Sequence, residues 1–117
     1  MTPLATLEFE VREPFLVARL DGDVDLSNVE QIRAMLVASV SHDVEGMVLD
    51  LRSTTYLDST GVRLLFELAE SLQSRRQAFT LVVTPDAIVH RVLVLTQLDS
   101  RVPIHDSLDD ALDALDV

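Results

Sequence analysis

Thr54-Thr55-Tyr56-Leu57-Asp58-Ser59-Thr60-Gly61 joins a short apolar run, Met47–Leu51, to the amphipathic segment Val62–Leu72. A polar junction between two such segments exposes a hydroxyl at a helix start. Met47–Leu51 follows Gly46 and suits a central strand covered on both faces. Beyond the junction, at 100° per residue, Val62, Leu65, Phe66, Leu68, Ala69 and Leu72 form one broad apolar arc, with Arg63, Glu67, Glu70 and Ser74 opposite. That pattern predicts a helix packed on a sheet.

Working outward, Leu7, Phe9 and Val11 alternate with Glu8, Glu10 and Arg12, the period of a strand with one buried face. Glu13-Pro14 turns the chain into a second strand, Phe15–Leu20, which is expected to stop at Asp21-Gly22 and close an antiparallel hairpin. Ser27 and Glu30 have capping-box spacing ahead of a helix to about Val40, with Val29, Ile32, Leu36 and Val40 on one face. On the other side of the junction, Ala78–Val83 predicts a buried strand. Thr84-Pro85 is read as a helix start, hydroxyl cap then proline, for a helix to about Leu95. Val102–Ile104 suits a short edge strand, and Ser107 a cap for a last helix presenting Leu108, Ala111, Leu112 and Leu115. Asp109 and Asp110 suit the positive end of that helix. The expected fold is α/β: residues 1–117 as a single domain, a mixed β-sheet with an N-terminal hairpin and about four helices packed against it.

Composition narrows the chemistry. A chain of 117 residues with 48% hydrophobic content has room for one domain and one core. Nine basic against 20 acidic residues leave a formal net charge of -11, which disfavours nucleic-acid backbones and anionic membranes and suits a basic protein partner, or simple solubility. All nine basic residues are arginine, so Schiff-base chemistry and a phosphate-loop lysine are excluded. There is no cysteine, hence no disulfide, thiolate nucleophile or cysteine-bound zinc. With neither a basic, apolar leader nor an 18-residue apolar run, the expectation is a cytoplasmic protein without membrane insertion.

At the junction, Asp58 or Ser59 serves as a helix cap, and Gly61 allows close backbone packing. A helix N-terminus also accommodates a phosphate, which adds about two negative charges and can turn away a partner. Asp21, Asp23 and Asp25 are expected along the same edge. Other chemistries fit poorly. A receiver domain phosphorylated on Asp50 or Asp58 requires a lysine. A calcium loop from Asp21 has Leu26 and Ile32 where glycine and glutamate belong. A serine hydrolase at Ser59 has Leu57 in place of the first elbow glycine. His42, His90 and His105 show neither triad nor metal-ligand spacing. No catalytic residue, metal or cofactor is expected.

The segment Leu57-Asp58-Ser59-Thr60-Gly61 after a buried strand, Leu20-Asp21-Gly22-Asp23-Val24-Asp25 at the end of the second strand, and the element order together resemble the STAS-domain anti-sigma factor antagonists. The resemblance covers essentially the whole chain and implies a switch. The unphosphorylated antagonist binds an anti-sigma factor with serine kinase activity, phosphorylation releases it, and a phosphatase restores it. Carried over by motif position, Ser59 is the phosphate acceptor and Thr60 a second candidate. Asp23, Asp25, Asp58, Ser59, Thr60 and Gly61 form the partner-binding surface. Related domains also serve as subunits of stress-signalling or lipid-transport assemblies, in which Ser59 is only a cap. Two departures from the family pattern are the lack of a glycine in Ser74–Ala78 and glutamine at position 97.

Overall fold

The computed structural model describes residues 5–115. In chain order the elements are β1 (Ala5–Arg12), β2 (Phe15–Val24), α1 (Val29–Ser39), β3 (Gly46–Asp50), β4 (Thr54–Leu57), α2 (Ser59–Ser74), β5 (Ala78–Val82), α3 (Ile88–Leu95), a 3-10 turn (Leu98–Ser100), β6 (Ile104–His105) and α4 (Leu108–Leu115). The sheet runs β1-β2-β3-β5-β6, antiparallel between β1 and β2 and parallel elsewhere, and β4 pairs with β2. This is the mixed sheet that the hydrophobic pattern predicts.

Two helical layers enclose the central strands. On one face Leu16, Ala18, Leu20, Met47, Leu49 and Leu81 pack with Ile32 and Leu36 of α1, Leu65, Leu68 and Leu72 of α2, and Val89 and Leu93 of α3. On the other, Val17, Val48 and Val82 meet Leu108 and Ala111 of α4. Strands β3 and β5 are therefore covered on both sides, whereas β1 is a sheet edge. Its expected apolar face forms only in part, with Leu7 half-buried and Phe9 and Val11 exposed. Gly46 lets β3 lie close against Ala78 of β5. A Cβ there would lie 2.7 Å from the Ala78 carbonyl oxygen.

Several boundaries differ from expectation. β2 does not stop at Asp21-Gly22: Gly22 takes φ 108°, a conformation open to glycine, and the strand continues through a bulge to Val24. Ser27 and Glu30 form no capping box. Asp25 Oδ1 accepts both the backbone N–H and the hydroxyl of Ser27, Glu30 pairs with Arg33, and α1 begins only after Asn28. Thr84-Pro85 forms a turn closed by the Ala87 N–H on the Thr84 carbonyl at 3.0 Å, so α3 starts at Ile88. β6 is displaced to Ile104–His105. Ser107 does cap α4, its Oγ accepting from the Asp110 N–H at 3.1 Å.

Both departures from the family pattern fall at left-handed backbone: Arg76 has φ 57° and Gln97 φ 64°. Side chains in that region cost about 1–2 kcal/mol relative to the ordinary helical region, which glycine largely avoids. Gln97 is exposed, so its replacement disturbs no packing. Gln97→Gly is expected to raise the thermal midpoint by several degrees in a calorimetric scan. An unchanged or lower midpoint would show that the conformation carries no strain.

Candidate functional site

β2 carries two strands in succession along one edge. β3 pairs with it from Phe15 to Arg19, and β4 takes over at Gly22, Asp23 and Val24, opposite Thr54, Tyr56 and Leu57. The intervening step is held by hydrogen bonds. Ser53 O accepts from the Gly22 N–H at 3.1 Å, Leu51 O from the Thr54 N–H at 3.0 Å, and Leu20 O from the buried Thr54 hydroxyl at 2.7 Å. Asp50 shapes the same step from the α4 side. Its buried carboxylate accepts the Arg52 backbone N–H at 3.0 Å and a two-pronged guanidinium contact at 3.0 and 2.8 Å. Burial alone would raise the Asp50 pKa, but the Arg52 contacts outweigh it and hold the carboxyl below its ordinary value.

The step delivers Asp58 beside the end of β2, with its N–H on the Val24 carbonyl at 3.2 Å. Asp58 is the N-cap of α2. Its Oδ1 accepts from the Thr60 N–H at 2.9 Å, the Gly61 N–H at 3.0 Å and the Thr60 hydroxyl. These bonds, led by the Thr60 hydroxyl and joined by the Gly61, Thr60 and Leu26 backbone N–H groups, lower its pKa against partial desolvation. The cap therefore belongs to Asp58, not Ser59. Ser59 is the first residue of the helix and exposed, and none of the side-chain hydrogen bonds among the described residues uses its hydroxyl. Thr60 is half-buried and its hydroxyl is committed to Asp58.

The other predicted site residues converge on this helix start. Asp23 accepts the Thr55 hydroxyl, which ties the end of β2 to β4. Asp25 lies in the following turn, half-buried. Gly61 is buried rather than presented: a Cβ there would come within 3.1 Å of Leu57 Cδ2 and 3.2 Å of Val24 Cγ1. Its part is to let the first turn of α2 close on the sheet. Asp21 is exposed on β2. His42, His90 and His105 lie in a loop, on α3 and on β6, and among the described residues no group of three or more His, Cys, Asp or Glu side chains could hold a metal ion. No helix of the described residues is long and apolar enough to cross a membrane.

Asn28, Thr54 and Thr55 also build the site, although nothing in the hydrophobic pattern singles them out. Asn28 Nδ2 donates to the Asp23 carbonyl at 2.9 Å while its Oδ1 accepts from the Asp25 N–H at 3.0 Å, bracing the turn that carries both aspartates. Around this acidic rim stand exposed apolar side chains, Leu26 at 76% and Tyr56 at 49%. The arrangement can meet a basic group through its carboxylates and an apolar one through Leu26 and Tyr56.

The model of the STAS domain family matches residues 6–111, and the chain belongs to that family. The relative BtrV of Bordetella bronchiseptica, whose name carries the anti-sigma factor antagonist description, is 38% identical over 58 residues, a match spanning half of this chain and half of the relative. The anti-sigma F factor antagonist of Paenibacillus polymyxa is 26% identical over 112 residues, 95% of each chain. Among solved structures, an anti-sigma factor antagonist from Mycobacterium paratuberculosis superposes with a TM-score of 0.87 at 27% identity, covering 97% of this chain and 95% of that one. The Bacillus cell-fate determinant SpoIIAA in its phosphorylated form shares the fold, with a TM-score of 0.70 at 22% identity over 94% of this chain and 99% of that one.

Because the Asp58 pKa is lowered on folding, the stability it contributes is present above its unfolded value of about 3.9 and lost as pH falls through the folded value. Asp58→Ala is expected to cost about 1 kcal/mol in urea unfolding at pH 7. The difference from the unsubstituted chain should vanish in strong acid. A pH-independent difference would show that the carboxylate is not the stabilising form.

Proposed function

We propose that this chain is a phosphorylatable anti-sigma factor antagonist. It binds a basic surface of an anti-sigma factor with serine kinase activity, and phosphorylation at Ser59 by that kinase releases it. A phosphatase acting on phospho-Ser59 resets it, and the whole cycle takes place in the cytoplasm. The single observation that carries the reading is the exposed Ser59 hydroxyl at the first turn of α2, next to a cap that does not need it. The family and the names of its antagonist members support the same reading.

Electrostatics supply the mechanism. Asp23, Asp25 and Asp58 already make the rim acidic, so a basic partner gains from it before modification. A phosphate adds about two negative charges at the centre of the rim and needs room that a docked partner occupies. The capping bonds come from Asp58, which favours this reading over the alternative, an assembly subunit in which Ser59 is only a cap. The engaged Thr60 hydroxyl disfavours Thr60 as an acceptor.

Incubation with the cognate anti-sigma kinase and ATP, followed by mass spectrometric mapping, is expected to place one phosphate on Ser59 and none on Thr60. No phosphate on either residue would sink the switch. Ser59→Ala should retain partner affinity while Ser59→Asp loses tenfold or more by calorimetry. Equal affinity of the two variants would show that charge at this position does not control binding.

A further inference from the structure

The outer edge of β1 carries no strand among the described residues. Among the described residues β1 pairs with β2 alone, leaving eight residues of outer edge. Leu7, Phe9 and Val11 lie opposite Leu20, Ala18 and Leu16 and so face the three-helix layer, yet Phe9 is 40% and Val11 63% exposed. On α1, Val37 lines a groove with Leu64 and Leu68 of α2. Met35, 200° round the helix from Val37, lies on the flank turned away from α2 and is 41% exposed. An open strand edge with apolar side chains left on one face is a template for another strand.

We propose that β1 pairs with β1 of a second copy in an antiparallel, two-fold symmetric register centred on Glu10. In antiparallel pairing, residues directly opposite share a face and the same hydrogen-bonding phase, so the paired residue numbers of a self-pairing strand must sum to an even value. A sum of 20 sets Phe9 against Val11 twice on the apolar face and Glu8 against Arg12 twice on the polar face. A sum of 18 opposes Glu8 to Glu10 twice, and a sum of 22 pairs only three residues within β1 on each copy. A sum of 16 gains no opposite-charge contact. The sum of 20 leaves one like-charge pair, Glu10 with its mate. Each of these carboxylates is already paired in its own chain with Arg12, and Arg19 stands 3.9 Å away. Charge complementarity therefore selects both the occupant, a second copy, and the register.

The dimer leaves the candidate site free. Ala5 pairs with Gly22 at the site end of β1, five residues or about 17 Å along the strand from the two-fold axis. The two Ser59 surfaces thus lie toward opposite ends of a continuous double sheet, able to take two partners. The inference does not depend on whether Ser59 is phosphorylated.

Sedimentation equilibrium of the full chain, from micromolar to millimolar concentration, is expected to show a reversible monomer–dimer equilibrium. Glu8→Arg and Arg12→Glu should each weaken the dimer at least tenfold, and the double variant Glu8→Arg/Arg12→Glu should recover it to within about threefold. A monomer at every concentration would overturn the proposal, as would a dimer indifferent to the single reversals. Because the chain has no cysteine, a single introduced thiol gives an independent check. Glu10→Cys places two Cα atoms about 4.5–5.5 Å apart across the axis, within disulfide reach, and should cross-link on oxidation while Thr6→Cys does not. Equal cross-linking of both variants, or of neither, would refute the register.

Discussion

The step from β3 to β4 along a single edge of β2 is the constraint on which the rest of the site depends. β2 is ten residues long because it must serve both strands, and Gly22 supplies the bulge that shifts register between them. The buried Thr54 hydroxyl then donates to the Leu20 carbonyl, in the gap where the register with β3 has ended at Arg19 and that with β4 has not yet begun at Gly22. Without this side-chain bond the break would leave a buried acceptor unpaired, at a cost of roughly 1–3 kcal/mol. With it, the chain emerges beside Val24 and places Asp58 at the first turn of α2.

Two carboxylates divide the work at this step. Asp50 is buried, and its charge persists because Arg52 meets it in a two-pronged geometry and a backbone N–H adds a third bond. Asp58 is half-exposed, and its charge is held by two helix amides and a threonine hydroxyl. The first closes the loop before β4 and the second opens the helix after it. Both act on backbone position, and the Ser59 hydroxyl, one residue past the cap, is left without a structural task among the described residues.

Much of this was legible from residue patterns, for identifiable reasons. Strands β3 and β5 and helix α2 announce themselves because burial on one or both faces writes a clear period into the sequence. The Asp58-Ser59 junction was likewise visible as a helix start. β4 was not, because Thr54-Thr55-Tyr56-Leu57 is half polar and its strand character comes from pairing with the end of β2, a long-range fact. The Ser27–Glu30 spacing misled for a related reason. Asp25, two residues earlier, is the better acceptor for the Ser27 N–H, and Asn28 is drawn into bracing Asp23 and Asp25, so the helix starts later. The exposure of Phe9 and Val11 was equally hidden, since alternation shows that a strand has an apolar face but not that anything covers it.

The layered placement also limits what modification at Ser59 could do. Beneath the serine, Val24, Leu57, Gly61 and Val62 are buried and packed together, and the capping bonds come from Asp58. A phosphate on the Ser59 oxygen would break none of these contacts. The helix end would offset part of its charge, about 0.3–1 kcal/mol at an exposed site. Repulsion from the neighbouring aspartates acts within a Debye length of about 8 Å and is confined to the rim. Neither effect approaches the several kcal/mol that hold a domain of this size folded. A switch built here therefore works by changing the surface a partner meets, with the scaffold unchanged beneath it.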